Sequence, residues 1–255
     1  MTTKRIDNPD GPRFYEVQVD EYLSIKLPSV TSVLQIISKP ALYNWYASQT
    51  SGYFLNELAG WKSAKPPFNV DAPWKIVESI ADDAKKAARS NMTKAGDIGS
   101  RVHEYIECLN TSTPLPDVDE DMEAPIRAYH EWIEEVGLEI IESERVVYSL
   151  EYEFAGTLDA IGRLRNGALA VIDYKTSSGI YDEMALQCAA YVTAYNEMFK
   201  ADVQEAYIAQ FPKDPSKKFK TKRVGHIPSV FEGGFVPALR LWHAMTQNKQ
   251  ALWRK

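Results

Sequence analysis

Asp173, Tyr174 and Lys175 close an apolar run, Ala168-Leu169-Ala170-Val171-Ile172. An apolar run of this length predicts a buried central strand. On a strand, residues i and i+2 share a face, so Asp173 and Lys175 point the same way. Two charges placed there must pair with each other or hold a metal ion. Asp159 sits in an equally apolar setting, after Phe154-Ala155-Gly156-Thr157-Leu158 and before Ala160-Ile161. Asn166-Gly167 predicts a two-residue hairpin turn between these strands. Counted outward from that turn, Arg165 faces Ala168 and Asp159 faces Tyr174, with Asp173 and Lys175 flanking. One bulged residue would bring Asp159 and Asp173 side by side. Carboxylates so close repel, and a divalent cation removes the repulsion. Magnesium suits such a site, with one or two carboxylates and the remaining positions left to water and phosphate. Gly156 lets backbone or substrate approach closely.

Two further groups lie on predicted helices. Gly99, His103 and Glu107 recur at i, i+4, i+8 and share one helix face. A His one turn from a Glu can ligate a metal or form an oriented hydrogen-bonded pair. Gln187 and Tyr191, at i, i+4, can grip a phosphate or stack a base. Thr176-Ser177-Ser178-Gly179 offers hydroxyls and amides beside Lys175. Each element alone admits a plainer reading. Asp173–Lys175 can be a simple ion pair, Asp159 a strand-edge acid, His103 a structural residue, Tyr191 a core residue, and residues 176–179 a plain loop.

The elements that must position these residues follow from periodicity. Residues 13–26 alternate and predict one or two short strands. Ser29 is an N-cap for a helix over about 30–38, and Pro40 opens a second helix to about residue 58. Residues 60–73 carry three prolines and predict a loop, and 74–91 a helix. Gly96 and Gly99 predict an interruption before an amphipathic run over 99–109. A loop at 110–119 and an acidic helix over 120–136 follow. Strands are expected at 144–152, 155–165, 168–175, 203–211 and 219–227, with helices at 182–200 and 235–249. This order predicts an α/β (α+β) chain with a mixed central sheet flanked by helices and an N-terminal helical lobe. The expected organisation is 1–95 as strands and helical lobe and 96–255 as the core, in one continuous domain.

Composition excludes several classes. The chain has 255 residues and is 45% hydrophobic and 25% charged, which supplies a sizeable core and excludes disorder as the dominant state. No stretch of about 18 uncharged apolar residues is present, so a transmembrane helix and a membrane partner are not expected. The segment MTTKRIDNPDG reads as neither a secretory signal nor a mitochondrial presequence. Cys108 and Cys188 are the only cysteines, too few for a four-thiolate iron–sulfur or zinc site. A reducing, cytoplasmic setting is expected.

The net charge of −6 is unevenly spread. Residues 117–144 hold eleven acids and one Arg, leaving the remainder at +4. Residues 213–223 hold six Lys/Arg against one Asp, and Lys85, Lys86, Arg89, Lys94 and Arg101 stand against Asp97. These patches are either local polyanion contacts or solvated faces.

The order G-x-x-x-H-x-x-x-E, G-T-x-D, D-x-K, Q-x-x-x-Y over residues 96–200 resembles the RecB-type branch of the PD-(D/E)XK nuclease superfamily. The opening Leu27-Pro28-Ser29-Val30-Thr31 and the Pro40-Ala41-Leu42 to Trp45 segment are similar, more weakly, to phage-encoded members and to the mitochondrial genome maintenance exonuclease group. The resemblance implies a restriction-endonuclease-like core. It implies that His103, Asp159, Asp173 and the backbone carbonyl of Tyr174 bind the catalytic Mg2+ or Mn2+. Lys175 would orient or deprotonate the attacking water and, with Asp173 and Asp159, form the catalytic set. Glu107 would act in support, and Gln187, Tyr191, Thr176, Ser177 and Arg101 would contact DNA. Products would be a 5′-phosphate and a 3′-hydroxyl. The four cysteines that hold an iron–sulfur cluster in some relatives are missing here, so no such cluster is expected.

Metal-assisted phosphodiester hydrolysis agrees with these residue types. A lysine beside a metal is expected to lose some proton affinity. The aromatic N-terminal stretch (Tyr43, Trp45, Tyr46, Tyr53, Phe54, Trp61, Phe68, Trp74) is expected to be mostly core, with some rings stacking single-stranded bases. The expectation is a DNA exonuclease favouring single-stranded ends, in recombination, repair or phage genome processing. A recombination or single-strand-binding protein is a candidate partner. The alternatives are a flap or structure-specific endonuclease, a catalytically silent fold that only binds DNA or a recombination partner, and a metal-dependent hydrolase acting on something other than nucleic acid.

Overall fold

The computed structural model describes residues 2–8, 11–63 and 72–246. The chain forms two compact units, one of residues 1–37 and 101–255 and one of 38–100. The first unit opens with an antiparallel sheet, β1 (Thr3–Ile6), β2 (Phe14–Gln18) and β3 (Ser24–Pro28). The alternation predicted over 13–26 is therefore two strands, paired to a third. Ser29 caps α1 (Val30–Val33) by accepting the Ser32 N–H at 3.0 Å, and a 3-10 turn at Leu34–Ile36 completes that helix.

The second unit contains α2 (Pro40–Ser63) and the first part of α3 (Ala72–Thr111). Tyr46 Oη donates to Met92 Sδ at 2.8 Å and Asn91 Nδ2 to Gln49 Oε1 at 3.0 Å, holding the two helices side by side. The aromatic residues are not mostly core. Tyr43, Tyr53 and Trp74 are exposed, and Trp45, Tyr46, Phe54 and Trp61 are half-buried. Among the described residues of this unit, the buried positions include Ala84, Ala88 and Ile98, none of them aromatic. Phe68 and most of the predicted loop lie outside the described residues.

Gly96 and Gly99 do not interrupt α3, which runs through both. Glycine in a helix costs only about 1 kcal/mol against Ala, and the helix is 40 residues long. Residues 101–111 of α3 belong to the first unit. There Val102 and Ile106 are buried. After the loop comes α4 (Glu120–Val136), with the bounds the acidic pattern predicted, closed by Gly137 in the left-handed region.

The principal sheet has the order β4-β5-β6-β7-β8. Its strands are β4 (Glu139–Ser149), β5 (Phe154–Arg163), β6 (Leu169–Lys175), β7 (Glu205–Gln210) and β8 (Lys220–Arg223). Only β6 and β7 pair in parallel, joined through α5 (Asp182–Phe199). One face is covered by α5 and by the C-terminal helices α6 (Ile227–Val230) and α7 (Val236–Thr246), around Leu158, Ile161, Val171, Cys188, Val192, Ile208 and Phe235. On the other face Tyr129 and Trp132 of α4 pack their rings on Tyr174 and Phe211. The small sheet adds Tyr15, Val17 and Leu27 against Tyr148 and Ala155. This is the mixed sheet with helices on both faces, and the restriction-endonuclease-like core, that the sequence predicts.

Candidate active site

The β5–β6 hairpin sets the distance between the two aspartates. Its loop has three residues, Arg165-Asn166-Gly167, not two. Leu164 N–H bonds to Ala168 C=O at 2.9 Å, and Gly167 takes φ +86°. A glycine in that conformation closes the three-residue form of the turn. The observed register pairs Arg163 with Leu169 and Ala160 with Ile172. The expected Arg165–Ala168 count is therefore off by one. The next rung along sets Asp159 beside Asp173, as the bulged alternative required. At that rung the backbone ladder gives way to a side-chain bond, and Asp159 Oδ2 accepts the Tyr174 N–H at 2.6 Å.

Sequence reasoning missed a third acid. Glu144 stands on β4 between the register pairs Ser143–Ala160 and Arg145–Leu158, which sets it opposite Asp159. Its φ of +49° is unusual for a non-glycine residue inside a strand. A bulge at residues 140–142 extends β4 upstream of the predicted start. The signal was present, because counting outward from the residue 150–153 turn of the β4–β5 hairpin pairs 144 with 159. Glu144 and Asp159, and Asp173 by continuation of the β5–β6 register, stand in one row across three neighbouring strands, with Asp173 outside the close group that His103, Glu144 and Asp159 make. His103 of α3 joins it, with Nδ1 3.5 Å from Asp159 Oδ1 and 4.0 Å from Glu144 Oε1. Ligand atoms of His103, Glu144 and Asp159 all lie within 4.8 Å of one another.

The electrostatics follow from burial and crowding. Burial, with Asp159 beside it, pushes the Glu144 carboxyl up to about 7. Asp173 is fully buried, and burial raises it to about 6 although Lys175 opposes the shift. Burial works against the charge on Asp159, but His103, Lys175 and the Tyr174 N–H outweigh it and hold the group below its ordinary value. His103 is raised, because Asp159 and Glu144 outweigh its burial. Lys175 Nζ lies 2.6 Å from Asp173 Oδ2. Burial disfavours its charge, yet Asp173 and Asp159 prevail and raise its proton affinity. That is the direction set by the protein's own charges; the loss of proton affinity expected beside a metal concerns the loaded site.

The donor set fits a hard divalent cation. It offers carboxylate oxygens and one imidazole, the mixture that Mg2+ and Mn2+ accept. Asp173 Oδ2 meets Lys175 Nζ at 2.6 Å, while Oδ1 finds no hydrogen-bond donor among the described residues. A buried carboxylate in that condition is costly, and a cation would relieve it.

The remaining candidates divide. Glu107 is half-buried and its charge raises Glu144, so it stands beside that acid. Gln187 is half-buried and donates to Tyr191 Oη at 3.1 Å. Tyr191 itself is 2% exposed and belongs to the core, so it does not present its ring to a ligand. Its ring explains Gly156, where a Cβ would fall 2.5 Å from Tyr191 Cε1. Thr176 and Ser177 are half-buried, and Ser177 Oγ donates to Gly179 C=O at 2.7 Å. Arg101 is ion-paired with Asp119.

The sheet carries helices on both faces, and Asp159, Asp173 and Lys175 lie on its adjacent central strands with His103 of α3 close to Asp159. The chain belongs to the PD-(D/E)XK nuclease superfamily, whose sequence profile matches residues 78–252. Members of this superfamily are nucleases that use divalent metals. Among solved structures, the chain is similar to an alkaline exonuclease, LHK-Exo, from Laribacter hongkongensis. That similarity has 13% identity and a TM-score of 0.33, covering 66% of this chain and 88% of that one. It is also similar to SSO0001, at 15% identity and a TM-score of 0.29, over 46% of this chain; the match spans 56% of SSO0001. A comparison with curated proteins finds no match. Among the described residues no helix is long and apolar enough to cross a membrane.

Proposed function

We propose that the chain is a Mg2+- or Mn2+-dependent DNA exonuclease of the RecB type that favours single-stranded ends, in recombination, repair or phage genome processing. The observation that carries this reading is the Glu144–Asp159–Asp173 row facing His103, with Lys175 at 2.6 Å from Asp173. His103, Asp159, Asp173 and the Tyr174 carbonyl would hold the cation, and Glu144 adds a ligand to that set. The cation supplies charge for the phosphoryl oxygens and a more acidic water. The chain's own residues do the rest. Lys175 keeps its proton at Nζ and donates a hydrogen bond to a phosphoryl oxygen, stabilising the charge that builds there. The Tyr174 N–H fixes Asp159, and His103 is oriented by Asp159 and Glu144. Gln187, Thr176, Ser177 and Arg101 are the candidates for guiding the strand. Exposed Tyr43, Tyr53 and Trp74 support a preference for unpaired bases.

The test is end-labelled single-stranded and duplex DNA with Mg2+, Mn2+ or EDTA, beside Lys175→Ala and Asp173→Ala. Metal-dependent loss of the single strand, abolished by both substitutions, is expected. Cutting of covalently closed single-stranded circles would replace the exonuclease by an endonuclease. Binding without cleavage under every metal would leave a silent DNA-binding fold.

A further inference from the structure

The basic run over 213–223 falls on the edge of the sheet that carries the acidic row. In register, Lys175 of β6 pairs with Gln210 of β7, and Gln210 pairs with Lys220 of β8. Two residues back, Asp173 pairs with Ile208, and Ile208 with Lys222. Residues paired across neighbouring strands share a face. Ile208 lies in the core beneath α5, so Lys220 and Lys222 are on that face. The opposite face of β8 is occupied, because Thr221 Oγ1 accepts the Trp132 Nε1–H of α4 at 2.9 Å. Two strand spacings separate β8 from β6, about 10 Å.

Not every cation of the run is available. Lys217 pairs with Asp214 at 3.4 Å and Arg223 with Glu205 at 2.5 Å. Lys213 is partly buried and feels Asp121. Lys218, Lys220 and Lys222 are exposed and make no ion pair among the described residues. Lys220 and Lys222 stand two residues apart on the strand, about 6.7 Å, comparable to the separation of successive phosphates in an extended strand. The acids of α4 lie on the other face of the same edge, and they repel a polyanion from that side.

We infer that Lys218, Lys220 and Lys222 form a track for the DNA backbone, holding phosphates that flank the scissile bond. The inference rests on the nuclease reading, and it concerns affinity and positioning, since these lysines are two strands away from the acidic row. It assigns a role to a charged edge that otherwise is only solvated.

The test is the Lys218→Ala/Lys220→Ala/Lys222→Ala variant against the wild type. A charge-matched control removes Lys4, Lys26 and Arg240, exposed residues elsewhere on the same unit. Binding of a labelled single-stranded oligonucleotide in EDTA is followed across a salt series. Each lost phosphate contact lowers the salt slope by about 0.7, so a fall of about 2 is expected for the track variant and none for the control. With Mn2+, KM for the oligonucleotide should rise at least about tenfold in the track variant. Turnover of bis(p-nitrophenyl) phosphate, too small to span two strands, should stay within about twofold. An unchanged slope, or an equal loss in the control, overturns the track. If the wild type binds the oligonucleotide but hydrolyses neither substrate, the nuclease reading fails while the slope still decides the track. If the wild type binds no DNA, both fail.

Discussion

The N–H of Tyr174 donates to Asp159 Oδ2 at 2.6 Å, at the rung where the β5–β6 ladder would otherwise continue between backbones. One carboxylate oxygen therefore serves as a structural acceptor while the other faces His103 Nδ1 at 3.5 Å. The side chain is fixed before any ligand arrives. Asp159→Asn replaces one oxygen by an amide and weakens both relationships. Its nuclease activity should fall by more than about 100-fold, beyond the 10–100-fold loss typical of an outer-shell partner. Metal titration by calorimetry should show the affinity falling with it.

Glu144 supplies a prediction of opposite sign for stability and for metal binding. Glu144→Gln removes a charge that Asp159 and Glu107 repel. The metal-free protein should gain on the order of 2 kcal/mol in chemical denaturation near pH 8, since the carboxyl is held up at about 7. Mn2+ affinity should drop by about tenfold or more in the same variant. A variant that loses both stability and affinity would make Glu144 a packing residue.

The pH dependence of the metal-free protein has a definite sign. In the folded chain Glu144 titrates at about 7 and Asp173 at about 6, above ordinary carboxylates, chiefly through burial. The folded state then binds more protons than the unfolded state between about pH 4.5 and 7. Stability therefore falls as pH rises through that window. His103, also raised, adds to the same trend, its contribution being lost as pH rises through its folded value. Asp159, held low, stabilises above its unfolded value and loses that only in acid below about pH 4. Melting temperature in EDTA should thus decline from pH 5 to pH 8. With Mn2+ present the trend should reverse, because ligands must be deprotonated to bind. A melting temperature in EDTA that climbs with pH would contradict the assignment.

Lys175→Ala should cost stability as well as activity. It leaves Asp173 fully buried without its counter-charge, and breaking a buried pair costs roughly 3–5 kcal/mol. Protonation of Asp173 offers a way out, and without Lys175 to lower it the carboxyl takes up its proton above its wild-type value of about 6, so the deficit should shrink as pH falls from 8 toward 6. Adding Asp173→Asn to Lys175→Ala should recover part of it at pH 8 in EDTA.

Gly156→Ala tests the packing behind the site. The new methyl would meet the Tyr191 ring at 2.5 Å, and overpacking of this kind costs about 1–3 kcal/mol. Combining it with Tyr191→Leu should restore part of that loss in urea denaturation. Tyr191→Phe, which removes only the hydroxyl that Gln187 meets, should change DNA binding little.

Much of this architecture was legible because period and punctuation agree. The acidic helix shows both its bounds, with its acids in the first turn and Gly137 at its end. The strand of Asp173 and Lys175 is fixed by its apolar run and by alternation alone. Register was harder, since Asn166-Gly167 fits a two-residue or a three-residue loop and only the latter aligns the aspartates. Glu144 escaped because a bulge displaces the start of β4, and because its left-handed backbone breaks the alternation that side-chain counting depends on. Tyr191 has the residue type of a surface reader and the neighbours of a core residue. Only the close approach of Gly156, a long-range contact, decides between them. Gly96 and Gly99 show the reverse case, where a local breaker signal yields to a long helix.

The parallel pairing of β6 with β7 bears on biosynthesis. The strand of Asp173 and Lys175 gains its second neighbour only from Glu205–Gln210, across the α5 crossover. A chain emerging from the ribosome therefore carries Asp173 and Lys175 well before the strand that flanks them, and long-range parallel pairing is slow to form. The edge of β6 that bears Asp173 and Lys175 thus stays open until residues 205–210 have been made.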